Sequence, residues 1–108
     1  MSDYNFLSIK KAIVKWYNEQ FYSQDGVVIS KETNDILIID FDFDKCIAQL
    51  TVSKDNNNPF QYIYFEAIDF ENENKVYCFF DNEKMNQRHV INALGEAYKY
   101  CLNYGICE

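Results

Sequence analysis

The chain has 108 residues, enough for one domain and one hydrophobic core. Hydrophobic residues make up 48% and aromatics 18%, with three glycines and one proline, which excludes a disordered, collagen-like or low-complexity chain. Ten basic against 17 acidic residues leave a net charge of −7, which argues against a general nucleic-acid or anionic-membrane binder.

Residues 6–22 read as an amphipathic helix. Phe6, Ile9, Ile13, Trp16, Tyr17 and Phe21 recur at helical spacing, opposite Lys10, Lys11, Lys15, Asn18 and Glu19. Ser2 or Asp3 is the expected cap, and Asp25-Gly26 breaks the pattern. Strands follow at Val27 to Ile29, Ile36 to Phe43 and Lys45 to Ser53. After the turn cluster Asp55 to Pro59 come strands at Phe60 to Phe70 and Lys75 to Phe80, joined by a turn at Glu71 to Asn74. Strands so closely spaced pair as an antiparallel meander. A second helix is expected over 83–104, capped by Asp81 or Asn82, with Val90, Ala93, Leu94, Ala97, Cys101 and Leu102 as its apolar stripe and Gly105 just past its end. The fold class is therefore α+β: an antiparallel meander of four to five strands, flanked by N- and C-terminal helices packed on one face. The other sheet face stays open, and function is sought there.

Three features bear on that face. In Asp40-Phe41-Asp42-Phe43-Asp44, alternation puts three carboxylates on one side and two rings on the other. Such a cluster serves as a divalent-metal site, as a docking face for a basic partner, or as a solvated face that resists edge pairing. A nucleotidyl-transfer site would need a phosphate-binding turn upstream, which Ser30 to Asn34 does not supply. Second, residues 32–73 carry two basic and ten acidic groups, whereas residues 74–108 carry four of each. The excess charge thus belongs to the strand region. Third, aromatics are abundant. With Ile63, Phe65 and Ala67 facing the helices, Tyr62, Tyr64, Glu66 and Ile68 face out. With Val76, Cys78 and Phe80 facing in, Tyr77 and Phe79 face out. The expected partner-binding set is Asp40, Asp42, Asp44, Tyr62, Tyr64, Glu66, Tyr77 and Phe79.

Nothing points to catalysis. No phosphate-binding glycine motif, zinc-protease motif or nucleophile elbow occurs, and His89 stands alone. Cys46, Cys78, Cys101 and Cys107 lack the close pairing of a metal site; the first three read as buried small hydrophobes. No cofactor is expected. The polar start Met1 to Asn5 reads as no leader, no span is apolar enough for a bilayer, and a cytoplasmic chain is expected.

The Trp-bearing helix Ile13-Val14-Lys15-Trp16, the strand Ile47 to Val52, the strand–acidic turn–strand from Phe65-Glu66-Ala67-Ile68-Asp69 to Val76-Tyr77-Cys78-Phe79, and the closing helix together resemble a known family. The chain resembles the small acidic immunity proteins of bacterial polymorphic-toxin and contact-dependent inhibition systems, and within these the TriTu type. It departs from them in the Asn-rich turn and in the aromatic segment 60–65. The resemblance implies a cytosolic antidote that binds the C-terminal toxin domain of a delivered effector. The expected partner is thus a basic cognate toxin domain, often a nuclease, with no nucleic acid or membrane bound and the free chain a monomer or weak dimer. Two other classes remain open: an adaptor or homodimerising module that buries the same face, and a metal-dependent enzyme built on Asp40 to Asp44.

Overall fold

Helix α1 (Phe6–Gln20) starts where Asn5 accepts a 2.9 Å bond from the Ser8 amide on its side-chain oxygen. Asn5 does the work expected of Ser2 or Asp3, which lie outside the residues described. The computed structural model describes residues 5–21, 26–54, 62–82 and 84–105. The Asp55 to Pro59 turn, Phe60, Gln61 and Cys107 also fall outside them. Phe6, Ile9, Ile13 and Trp16 form the buried stripe of α1, and the helix stops as Phe21 turns extended.

Five strands follow: β1 (Val27–Glu32), β2 (Ile36–Asp42), β3 (Cys46–Ser53), β4 (Ile63–Asp69) and β5 (Lys75–Phe80). They form one antiparallel sheet in the order β1-β2-β3-β4-β5, the expected meander. Period-two burial is sharpest in the three central strands. Leu37, Ile39 and Phe41, then Cys46, Ala48, Leu50 and Val52, then Ile63, Phe65 and Ala67, point to one side and are buried.

Helix α2 (Gln87–Asn103) starts later than the expected 83, which rested on Asp81 or Asn82 as its cap. Asn86 is the cap, accepting from the His89 amide at 2.9 Å. Asp81 is withdrawn into the protein and Asn82 caps no helix. Val90, Leu94, Ala97 and Cys101 are the buried stripe, but Leu102 is 51% exposed, one position beyond it. Gly105 sits at φ +77, as its place after the helix predicts, and a Cβ there would lie 2.6 Å from Lys45 Cγ.

The buried side chains of both helices and of the inward strand faces make one cluster. Phe41 is at its centre, with rings of Phe21, Phe65, Phe43, Tyr98 and Trp16 around it. Cys46 and Cys101 are in this core, and the Cys46 thiol donates to the Cys101 carbonyl at 3.7 Å. Burial raises both thiols, Cys101 to about 12, so neither is a ready nucleophile. Cys78 breaks the expectation, being exposed on β5. No helix among the described residues is long and apolar enough to cross a membrane.

Candidate functional site

The helices leave the second face of the sheet uncovered. Register arranges this face in rows, because residues directly opposite on antiparallel strands share a side. The central row runs Val28, Asp40, Gln49, Glu66, Cys78. On one side of it runs Ile38, Thr51, Tyr64, Phe80; on the other run Asp42, Ile47, Ile68, Lys75. Val28 is 48% exposed, and Ile47 and Phe80 are 39% exposed each. A shallow depression of about 610 Å³ lies between Val28, Asp40, Ile47, Gln49, Glu66 and Ile68.

The polar groups of the face divide into two sets. On the β4–β5 side, the Tyr64 hydroxyl donates to Glu66 Oε2 at 2.8 Å, and Lys75 Nζ pairs with the same oxygen at 3.2 Å. The Tyr64 hydroxyl bond, then Lys75, hold the Glu66 carboxyl below its ordinary range. Cys78, then Glu66, raise the Tyr64 hydroxyl, so it stays a donor. On the β2 side, Gln49 Nε2 donates to Asp40 Oδ1 at 2.9 Å, and Asp42 is exposed. Among the described residues no cation pairs with Asp40 or Asp42. Their charge is therefore available to a partner.

Four expected site residues therefore stand on this face: Asp40, Asp42, Tyr64 and Glu66. Asp44 does not, because β2 ends at Asp42 and the Phe43–Cys46 turn carries Asp44 to the sheet's end. There it borders a separate hollow with Lys45, Asp69 and Tyr104. The expected partition of the two rings does hold: Phe41 is buried and Phe43 stacks on it from the helix side. Tyr62 precedes the first pleat of β4, and its ring packs toward Phe6 of α1, with centroids 6.4 Å apart. Tyr77 and Phe79 face the helices. Tyr77 meets Phe65 and Tyr100, at 6.2 and 5.1 Å. Phe79 is opposite Phe65. The cause is a bulge: Ile68 pairs with Lys75 but Ala67 pairs with Tyr77, so Val76 is an extra residue. Without it Glu66 would face Tyr77, the expected arrangement; with it every later side chain of β5 changes sides.

Sequence reasoning missed Val28, Ile47 and Phe80 as members of the face. Ile47 was accessible from the strand alternation, because Cys46, Ala48, Leu50 and Val52 fill the buried parity. Phe80 depended on the bulge. Among the described residues no group of three or more His, Cys, Asp or Glu side chains gathers around a metal-sized space.

The hollow at the sheet's end is held by Asp69. Its Oδ2 accepts from the Tyr104 hydroxyl at 2.6 Å, and its Oδ1 from the amides of Glu71 and Asn72 at 2.8 and 3.1 Å. The Tyr104 bond, then the two amides, lower the Asp69 carboxyl, and Asp69 in turn raises Tyr104. A carboxyl lowered on folding contributes stability that is present above its unfolded value, near 4, and is lost as pH falls through the folded one. Asp69 and Glu66 both act in this sense. Urea midpoints should therefore drop between pH 5 and pH 3, and Asp69→Asn should flatten that drop; an equally steep variant curve would remove Asp69 from the acid response.

No protein-family model matches the chain, and no curated protein or solved structure does either.

Proposed function

We propose that the chain is an immunity-type binding protein that neutralises a cognate bacterial toxin domain through the open face of its sheet, acting by binding rather than by catalysis. The observation that carries this reading is the face itself, where exposed Val28 and Ile47 and half-buried Ile68 flank Asp40 and Asp42, with which no cation pairs among the described residues. Uncovered apolar area crossed by charge is the composition of a protein interface. The acidic excess selects the partner: a basic cleft, such as that of a nuclease, whose Lys and Arg groups otherwise hold phosphate. The resemblance to acidic immunity proteins points the same way, and places the encounter in the cytoplasm, where a delivered toxin meets its target. Burying this face against a second copy is disfavoured, because it would bring two sets of Asp40 and Asp42 together while Lys75 is held by Glu66.

Co-expression with the C-terminal toxin domain encoded beside the gene tests the reading. The domain alone should stop growth, and the pair should grow and co-purify at one to one. Growth arrest despite co-expression, with nothing co-purifying, would reject it. Within a complex, Asp42→Lys should slow association about tenfold at low salt and leave dissociation nearly unchanged. An unchanged association rate would place Asp42 outside the contact.

A further inference from the structure

The two edges of the sheet are finished differently. Along β1, Ser30 forms a bulge and Lys31 and Glu32 add charge. Helix α1 reaches over this edge: Tyr17 donates to the Val27 carbonyl at 3.1 Å, and Lys10 to the Thr33 carbonyl at 2.7 Å while pairing with Glu32 at 3.5 Å. These are the devices by which a sheet edge is kept from pairing. Strand β5 has a charge and a bulge only at its start, at Lys75 and Val76. Val76-Tyr77-Cys78-Phe79-Phe80 carries no charge and no proline.

The hydrogen-bond alternation says which groups are presented there. The Ser53 amide donates to the Tyr62 carbonyl, and the Asp81 amide to the Ile63 carbonyl. Antiparallel ladders alternate, so Tyr64 and Glu66 spend their backbone groups on β3, while Phe65 and Ala67 spend theirs on Phe79 and Tyr77. The N–H and C=O of Cys78 and Phe80 therefore point away from the sheet. Among the described residues no hydrogen bond reaches them.

We infer that β5 pairs with β5 of a second copy of this chain, antiparallel about a two-fold axis at Cys78, joining two sheets edge to edge. Charge selects this occupant. The acidic excess lies in residues 32–73, whereas residues 74–108 are balanced at four basic and four acidic groups, so copies with a net charge of −7 meet along β5 without apposing their carboxylates. Geometry fits as well. A two-fold axis at Cys78 superposes the uncharged run on itself and sets Tyr77 opposite Phe79 of the second copy, twice, beside the exposed Tyr100. A five-residue pairing is small against the roughly 1,600 Å² of a stable interface, so the dimer forms and dissociates with concentration, with a Kd on the order of 10 µM. It leaves the open face free and does not depend on the toxin reading.

Sedimentation velocity on the full chain, from low to high micromolar, should show monomer giving way to dimer. Cys78→Pro deletes an outward N–H and the thiol beside Tyr64 but no bond of the β4–β5 ladder, and should abolish the dimer. Cys78→Lys keeps that N–H but sets two cations against each other, and should weaken dimerisation about tenfold or more; it carries the test if the proline variant does not fold. In a Cys107→Ser chain, a short bis-maleimide should link Cys78 to Cys78. Wild-type protein that is monomeric throughout overturns the inference. So does a folded Cys78 variant that dimerises like wild type, which would put the contact elsewhere. Dimerisation by Asp42→Lys should match wild type, so failure here and failure of toxin capture read out separately.

Discussion

Phe41→Ala is expected to remove about 4 kcal/mol of folding stability. Phe41 is 2% exposed, on β2, under both helices. Its ring is edge-on to Phe65 at 5.5 Å and to Phe21 at 6.1 Å, stacks on Phe43 at 6.1 Å, and neighbours Tyr98 and Trp16 at 6.3 and 6.5 Å. Removing it strips a partner from five other aromatics that come from α1 and the residue just past it, α2, β4 and the β2–β3 turn. They cannot all collapse into the space at once, so a cavity cost adds to the lost transfer energy. Domains of this size have about 5–15 kcal/mol in total, so the variant should lose roughly 20 °C of melting temperature and some near-ultraviolet dichroism. Phe43→Ala, at a half-buried ring, should cost less than half as much. Equal losses for the two variants would show that Phe41 is not the hub.

Asp81→Ala is the second large effect, about 3 kcal/mol. Asp81 is 0% exposed and is the one buried charged side chain among the described residues. Its Oδ1 accepts from the Tyr62 and Ile63 amides, both at 2.9 Å, and its Oδ2 from Tyr62 at 3.1 Å. It thereby satisfies the amides at the entry to β4, just before and at its first residue, from the residue that follows β5. Alanine removes the acceptor from both amides, of which that of Ile63 is buried. Asp81→Asn keeps an acceptor oxygen, and should lose only about 1 kcal/mol by urea denaturation. A loss as large for asparagine as for alanine would mean that these amides need the full charge, and a loss under about 1 kcal/mol for alanine would mean that the carboxylate is tolerated rather than used.

That residue also marks where sequence reading stops. The architecture was legible: apolar spacing in both helices, alternation in β2, β3 and β4, and turn chemistry between them forced a meander with helices at each end. Alternation likewise brought Asp40, Asp42, Tyr64 and Glu66 to one side. Two errors have one physical source each. Asp81 looks like a helix cap because caps are short acidic residues near an apolar pattern; its pairing with the Tyr62 and Ile63 amides is a contact distant in sequence, and Asn86 supplies the cap instead. The sidedness of β5 was undecidable because both of its parities are apolar, and the extra residue Val76 reversed the better-looking choice. Asp44 was misplaced for a simpler reason: alternation was carried past the end of a strand.

The meander also bears on how the chain reaches this state. Each strand pairs with its neighbour in sequence, so the sheet can zip as successive hairpins, each closing a short loop at small entropic cost. Contact between α1 and α2 is different, since it joins opposite ends of the chain. It must wait until the strands between them have shortened that distance. Folding should therefore be rapid for a five-stranded sheet, with helix docking as the late step. Substitutions between the helices should then act mainly on the unfolding rate, and those within the central hairpins on the folding rate.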